Sequence, residues 1–317
     1  MIDKFGRNIN YLRISLTHRC NLRCMYCIPE DIKFDKNNEY MSLNDYKFII
    51  KSMSELGITK VRFTGGEPLL YPYLEEIIRF TKEECNIEDI AITTNGILLH
   101  EMIHSLKDCG LKKVNISLDS LKEYKYKNIT RGGTLKDVLK SINTCLRLGL
   151  EVKVNCVSIN EFNDDEIYDF ILMTNYYPID IRFIELMPIG EAKKLYKRGY
   201  LDIRAIIENI DEMYRVDSGE ESSAVYYKFN GAKGRVGVIS PISRSFCDDC
   251  NKIRVTSKGT IKLCLHSMEE IDIKSYLQKP LIFRETMKDL ILDKPKEHYL
   301  GERQSSDTQR SMCEIGG

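Results

Sequence analysis

The chain has 317 residues, 43% of them hydrophobic, with 47 basic against 47 acidic side chains. That apolar content suffices for a packed core, and zero net charge gives no bulk attraction for nucleic acid or a membrane surface. No apolar run reaches the roughly 18 residues of a membrane helix, and the opening MIDKFGRNIN lacks the apolar stretch of a signal peptide, so the expectation is a cytoplasmic protein with no nucleic-acid or membrane partner.

Short β-like runs alternate with helical patterns along the first 190 residues. YLRISLT (11–17), KVRFT (60–64), DIAITTN (89–95), KVNISLD (113–119), VKVNCVSI (152–159) and DIRFIEL (180–186) read as strands. Segments 43–56, 73–84, 98–109, 134–148 and 164–175 carry apolar residues at helical spacing. Ser42 suits an N-cap and Pro72 a first helical turn. Six βα units predict a partial TIM-type barrel, (βα)6, two short of closure. After residue 190 the pattern changes. A helix over 202–210 leads to strands near 224–229 and 235–239, then a hairpin turning at Ser257-Lys258-Gly259, and two apolar-periodic segments around 271–292. The division expected is a barrel over 1–190 and a smaller α+β region over 191–317. The stretch 301–310 is polar and is expected to be flexible.

The strands alternate sharply. Leu12, Ile14 and Leu16 alternate with Arg13, Ser15 and Thr17; Val61 and Phe63 with Arg62 and Thr64; Val152 and Val154 with Lys153 and Asn155. One face suits the packing helices, and the other would line the lumen. Barrels of this kind ordinarily fill the lumen with branched apolar residues. A polar, partly cationic lumen implies a polar ligand, because buried polar groups are costly without partners. An open sheet with one wetted face is the alternative.

Eleven cysteines are many for a reducing compartment, where structural disulfides are rare. Cys85, Cys109, Cys145 and Cys156 lie singly in apolar patterns and read as small buried hydrophobes. Cys20, Cys24 and Cys27 form C-x3-C-x2-C just after the first strand, at the barrel mouth where active sites sit. Three thiolates leave one iron of a four-iron cube open, whereas zinc would need a fourth ligand such as His18. Cys247, Cys250 and Cys264 form a second trio, which a zinc ribbon using His266 would also explain. The second strand ends in TGGEP (64–68), whose glycines allow close backbone approach to a ligand and whose Glu67 can accept hydrogen bonds.

C-x3-C-x2-C with Tyr26 before its last cysteine, GGEP after strand two, TTNG (93–96) and SLDS (117–120) together resemble the radical S-adenosylmethionine (SAM) superfamily. The second trio in FCDDCNKIRVTSKGTIKLCL and the terminal glycine pair resemble, within it, the GTP 3′,8-cyclase family of molybdenum-cofactor biosynthesis. The resemblance covers nearly the whole chain. It implies two [4Fe–4S] clusters, one on Cys20, Cys24 and Cys27 whose open iron chelates SAM, and one in the C-terminal region on Cys247, Cys250 and Cys264 whose open iron binds guanine. It further implies SAM contacts from Tyr26, Gly66, Ser117 and Met187, and GTP contacts from Arg13, Arg62, Thr93, Lys153, Lys252 and Arg254, with Arg182 as an addition. Family members have arginine where this chain has Lys252, which keeps the charge but loses the planar fork. Gly316 and Gly317 would enter the active site. The expected reaction joins ribose C3′ to guanine C8 of GTP, releasing 5′-deoxyadenosine and methionine. A flavodoxin- or ferredoxin-type reductant, product transfer to cyclic pyranopterin synthase (MoaC) and dimerisation are also implied. A radical SAM enzyme acting on a peptide and a non-enzymatic zinc module are the competing readings.

Overall fold

The computed structural model describes residues 1–317 apart from 33, 35–40, 220–222, 299, 301–305, 309 and 317. All six sequence-expected strands form: β1 (Tyr11–Ser15), β2 (Lys60–Thr64), β3 (Asp89–Thr94), β4 (Lys113–Ser117), β5 (Glu151–Ser158) and β6 (Ile179–Glu185). Each pairs in parallel with the next. The sheet then runs on past residue 190. β9 (Arg235–Ile239) adds in parallel beside β6, and β10 (Lys252–Val255) adds in parallel beside β1. Antiparallel strands finish both ends: β8 (Val225–Phe229) and β7 (Met213–Val216) beyond β9, β11 (Thr260–Lys262) and β12 (Ile271–Asp272) beyond β10. Among the described residues β12 and β7 are the two sheet edges and do not pair, so the barrel is partial and open.

Helices cover the outer face. α1 (Leu43–Glu55), α2 (Leu74–Glu83), α3 (Leu99–Asp108), α4 (Glu123–Thr130), α5 (Leu135–Arg147) and α6 (Ile167–Tyr176) follow the successive strands. Their apolar stripes meet Leu12, Ile14, Val61, Phe63, Ile90, Ile92, Val114 and Ile116, all buried in one continuous core. Ser42 caps α1 in a reciprocal box with Asp45. Pro72, by contrast, lies in the turn before α2 rather than in its first turn, since α2 starts at Leu74. Helix α4 was not legible in the sequence: EYKYKNIT carries a weak apolar stripe, and the helix is held by burial of Tyr126 and Ile129.

The inner face is buried rather than wetted, which decides between the two readings of the alternation. Arg13 is 9% exposed, Asn115 1%, Lys153 6% and Arg182 8%. Strand register aligns these side chains: Arg13 stands opposite Arg254 on one side and Arg62 on the other, and Asn155 opposite Arg182.

One arginine ties the two ends of the chain together. Arg7 donates from Nε to Asp3 Oδ2 at 2.6 Å, from Nη1 to the carbonyls of Cys247 and Lys296 at 2.9 Å each, and from Nη2 to those of Pro295 at 2.7 Å and Lys294 at 3.4 Å. The planar fork of guanidinium suits this arrangement and an ammonium does not. Burial alone would raise the Asp3 carboxyl, but the hydrogen bonds from Arg7 and Phe5 and the Arg7 charge outweigh it and hold its pKa below the ordinary value. A depressed folded pKa contributes stability that is complete above the ordinary carboxylate pKa and is lost as pH falls through the folded value.

The expected outcome for Arg7→Ala is a loss of roughly 3–5 kcal/mol, because it leaves a buried carboxylate without its partner. Chemical denaturation at neutral pH measures it, the deficit shrinking as Asp3 becomes protonated. Arg7→Lys should recover only a small part.

Candidate active site

The C-terminal ends of the parallel strands open into a cavity of about 310 Å³. A second cavity of about 150 Å³ lies deeper in the lumen, and the two share Arg13, Thr93, Asn155 and Lys252 as common wall. All six cysteines of the two trios line the outer cavity.

The first trio lies on the segment leaving β1. That segment is pinned by the turn after β2: Gly66 N–H donates to Thr17 O at 2.6 Å and Glu67 N–H to Arg19 O at 2.8 Å. A Cβ on Gly66 would lie 2.2 Å from Arg19 O, and one on Gly65 2.3 Å from Thr17 O. The need for two glycines is therefore met by the chain's own backbone, where the sequence suggested close approach to a ligand; Gly66 nonetheless also lines the cavity. Glu67 does accept hydrogen bonds, from Leu69 N–H at 3.1 Å, Thr94 Oγ1 at 2.7 Å and Asn95 N–H at 2.8 Å. Burial outweighs those donors and pushes its pKa up to about 7. Tyr26 Oη donates to Asp119 Oδ2 at 2.8 Å, with Val157 N–H on the other oxygen at 2.9 Å. Ser117 and Met187 complete this wall.

The second trio comes from the turn holding Cys247 and Cys250 and from the end of the β10–β11 hairpin at Cys264. His266 and His298 stand beside it on the cavity wall. Buried Lys294 donates to Leu263 O. Burial would raise the Cys250 thiol, but the charges of Lys294, Lys252 and Arg254 win and lower it.

The lumen holds the positive charge. Arg62 lies 5.4 Å from the centre of the Tyr11 ring, and its Nε is buried without a hydrogen-bond partner, as is Thr93 Oγ1. Arg182 donates to Asn155 Oδ1 at 2.9 Å and Asn115 Oδ1 at 2.6 Å, both neutral. Lys153 pairs with Glu151 at 2.9 Å, so part of its charge is met within the chain. Among the described residues Arg62, Arg182, Lys252 and Arg254 have no carboxylate ion pair. Burial, then Arg254, Arg62 and Arg182, push the Arg13 guanidinium well below its usual pKa. Burial and the same arginine group bring Lys252 down to about 8. Arginine does not release its proton in proteins, so this crowding is an unmet demand for an anion.

The C-terminal segment enters the same space. Arg310 forms a paired contact with Glu270 at 2.6 and 2.7 Å, and Ser311 and Glu314 form a capping box on the short helix Met312–Ile315. Ser306 and Thr308 are buried. Flexibility expected over 301–310 therefore does not hold for these residues; 301–305 and 309 lie outside the described ones. Gly316 O accepts from Arg13 Nη2 and from Arg254 Nη1, each at 3.0 Å. Its φ is +69°, and a Cβ there would lie 2.6 Å from Thr64 Cγ2. Gly317 lies outside the described residues.

The geometry thus brings together every described site residue named from the sequence. Asn115, Asn155, Glu185 and His298 were missed. The two asparagines were visible as inner-face positions, but nothing marked them as partners of Arg182. His298 had no signal, because its role depends on a distant chain crossing.

The cysteines fit clusters better than single ions. Among the described residues no three His, Cys, Asp or Glu side chains are disposed to hold one metal ion, and a cube binds its thiolates more widely, one per iron. His18 does not line the cavity; its ring packs 5.3 Å from Phe34. Burial first, then Asp119 and Cys20, raise Cys24 well above an ordinary thiol, and burial with Glu67 carries Cys20 to about 11. Such thiols ionise only with a strong cationic partner, which iron supplies.

Comparison with known proteins agrees with this geometry. Residues 14–173 match the model of the radical SAM superfamily, and 179–300 that of Molybdenum Cofactor Synthesis C. The chain is 47% identical over 319 residues to a GTP 3′,8-cyclase of Clostridium botulinum and 48% identical over 320 residues to that of Alkaliphilus oremlandii, each alignment covering 100% of both chains. Among solved structures, SuiB of Streptococcus suis bound to S-adenosylmethionine aligns with a TM-score of 0.65 at 15% identity, covering 96% of this chain and 77% of that one. The anSMEcpe protein with bound AdoMet gives 0.55 at 14% identity, covering 96% and 89%. At such identities these structures speak for the fold alone. The full-length identities, with the two family models and the converging cysteines, show that the chain belongs to the GTP 3′,8-cyclase family of radical SAM enzymes, which acts in molybdenum-cofactor biosynthesis.

Proposed function

We propose that this cyclase works with two [4Fe–4S] clusters facing one cavity, SAM at one and GTP reaching from the other into the cationic lumen. The observation that carries this is the convergence of both trios on a single space whose floor is buried, unneutralised positive charge. When bound, the cluster and SAM supply an electron, methionine and the 5′-deoxyadenosyl radical that takes hydrogen from ribose C3′, after which C3′ joins guanine C8.

The chain's own work is positioning. Cys20, Cys24 and Cys27 hold the first cluster; Tyr26, fixed by Asp119, lines the SAM pocket with Gly66, Ser117 and Met187. Cys247, Cys250 and Cys264 hold the second. Arg13, Arg62, Thr93, Lys153, Lys252 and Arg254 grip GTP, with Arg182 beside them on its asparagines. Forked guanidinium groups suit phosphate oxygens, and holding C3′ and C8 at roughly 3–3.5 Å removes much of the entropic barrier. The Gly316 carbonyl bridges Arg13 and Arg254, so the tail orients two phosphate ligands together; Gly317 extends that role. The polypeptide works as a barrel unit, 1–190, and a second-cluster unit, 191–317. A flavodoxin- or ferredoxin-type protein in the cytoplasm supplies the electron, and the product passes to MoaC. The protein acts as a homodimer, without nucleic acid or membrane; among the described residues no helix is long and apolar enough to cross a bilayer.

Cys24→Ser is expected to abolish 5′-deoxyadenosine formation. Cys264→Ser should keep iron at the first trio yet make no cyclised nucleotide, as read by chromatography after anaerobic turnover. Normal product from Cys264→Ser would overturn the two-cluster reading. For Gly316→Val, the expected outcome is faster amide exchange over 312–316 and a lower product yield at unchanged iron content, because a branched side chain has no room beside Thr64.

A further inference from the structure

His298 has a buried donor that nothing in the reaction scheme uses. Leu300 N–H donates to its Nδ1 at 3.2 Å. A ring nitrogen that accepts cannot carry the proton, so the neutral imidazole bears its hydrogen on Nε2. That Nε2 is buried and has no hydrogen-bond partner. Buried donors are nearly always satisfied, so an orphan aimed at a cavity marks a group that the folded chain alone does not supply.

The surroundings identify the group. His298 lines the cavity beside Cys247, Cys250 and Cys264, and the Cys250 sulfur is close enough to act on it electrostatically. Its ring orientation is fixed by packing on His266, centroid to centroid 4.4 Å at 58°, and His266 is itself anchored through Nδ1 to Ser306 Oγ at 3.2 Å. The backbone just before His298 is gripped by Arg7, which also holds Cys247 O. The histidine and the second trio are therefore built on one clamp.

We propose that His298 is a positioning residue for the second cluster, its Nε2–H donating a hydrogen bond to a sulfur of that centre and thereby raising the centre's reduction potential. This rests on the two-cluster reading. The physical basis is that the reduced cluster carries more negative charge on sulfur, so a donor stabilises it more than the oxidised form. Outer partners of this kind also hold ligands in place.

The test is a redox titration followed by paramagnetic resonance on the full, anaerobically reconstituted chain, with the first cluster as internal reference. His298→Phe keeps a ring and removes the donor; His298→Gln restores an N–H near the same point. The expected result is a fall in the potential of one centre in the Phe variant, or loss of iron from that centre, with recovery in the Gln variant and no change at the other centre. Potentials unaffected by His298→Phe at full iron content overturn the inference. So does a Gln variant that behaves like Phe, or a change confined to GTP affinity, which would assign the donor to the base. A wild-type chain that takes up iron for one cluster only overturns the two-cluster reading together with this inference.

Discussion

Positive charge gathered inside a low-dielectric space is the constraint on which this structure turns. Arg13, Arg62, Arg182, Lys252 and Arg254 project from adjacent parallel strands into one lumen, and strand register sets Arg13 directly between two other arginines. A fold that only needed stability would place branched apolar residues there. Instead the chain spends stability on groups whose repulsion is relieved only by an anion. The asparagines that hold Arg182 illustrate the strategy: they orient the guanidinium without cancelling its charge. A polyanionic nucleotide meets that demand, and the need for it explains why the lumen is basic while the chain as a whole is neutral.

The two halves of the sequence are joined where this charge is concentrated. β10 closes onto β1 rather than standing apart, which brings Arg254 and Lys252 into the lumen and sets the second cysteine trio at the same mouth as the first. Arg7 fastens the N-terminus to the turn bearing Cys247, and Arg310 fastens the tail through Glu270 so that Gly316 reaches both Arg13 and Arg254. Sequence-distant segments thus share one small volume, and the site exists only when the whole chain is folded.

Much of this was legible in the sequence, for identifiable reasons. Alternation in β1, β2 and β5 has a period of two, which separates helix-facing from lumen-facing residues without knowledge of the fold. The cysteine spacings and the run after β2 are local patterns and carried the family resemblance. What could not be read depends on non-local contact. The parallel pairing of β9 and β10 with the six-strand core is invisible because a strand does not encode its neighbour. The glycines of the GGEP turn looked like a ligand approach, and they serve first to let two backbone segments pass. His298 and Arg7 are single residues whose meaning comes from carbonyls and cysteines far along the chain.

The most direct test of the account is the affinity of the reconstituted enzyme for GTP and for guanosine, measured calorimetrically across a range of potassium chloride concentrations. If the lumen is a polyphosphate site, GTP binds far more tightly than guanosine and its dissociation constant climbs steeply with salt, while guanosine hardly responds. Equal, salt-insensitive binding of the two would contradict it.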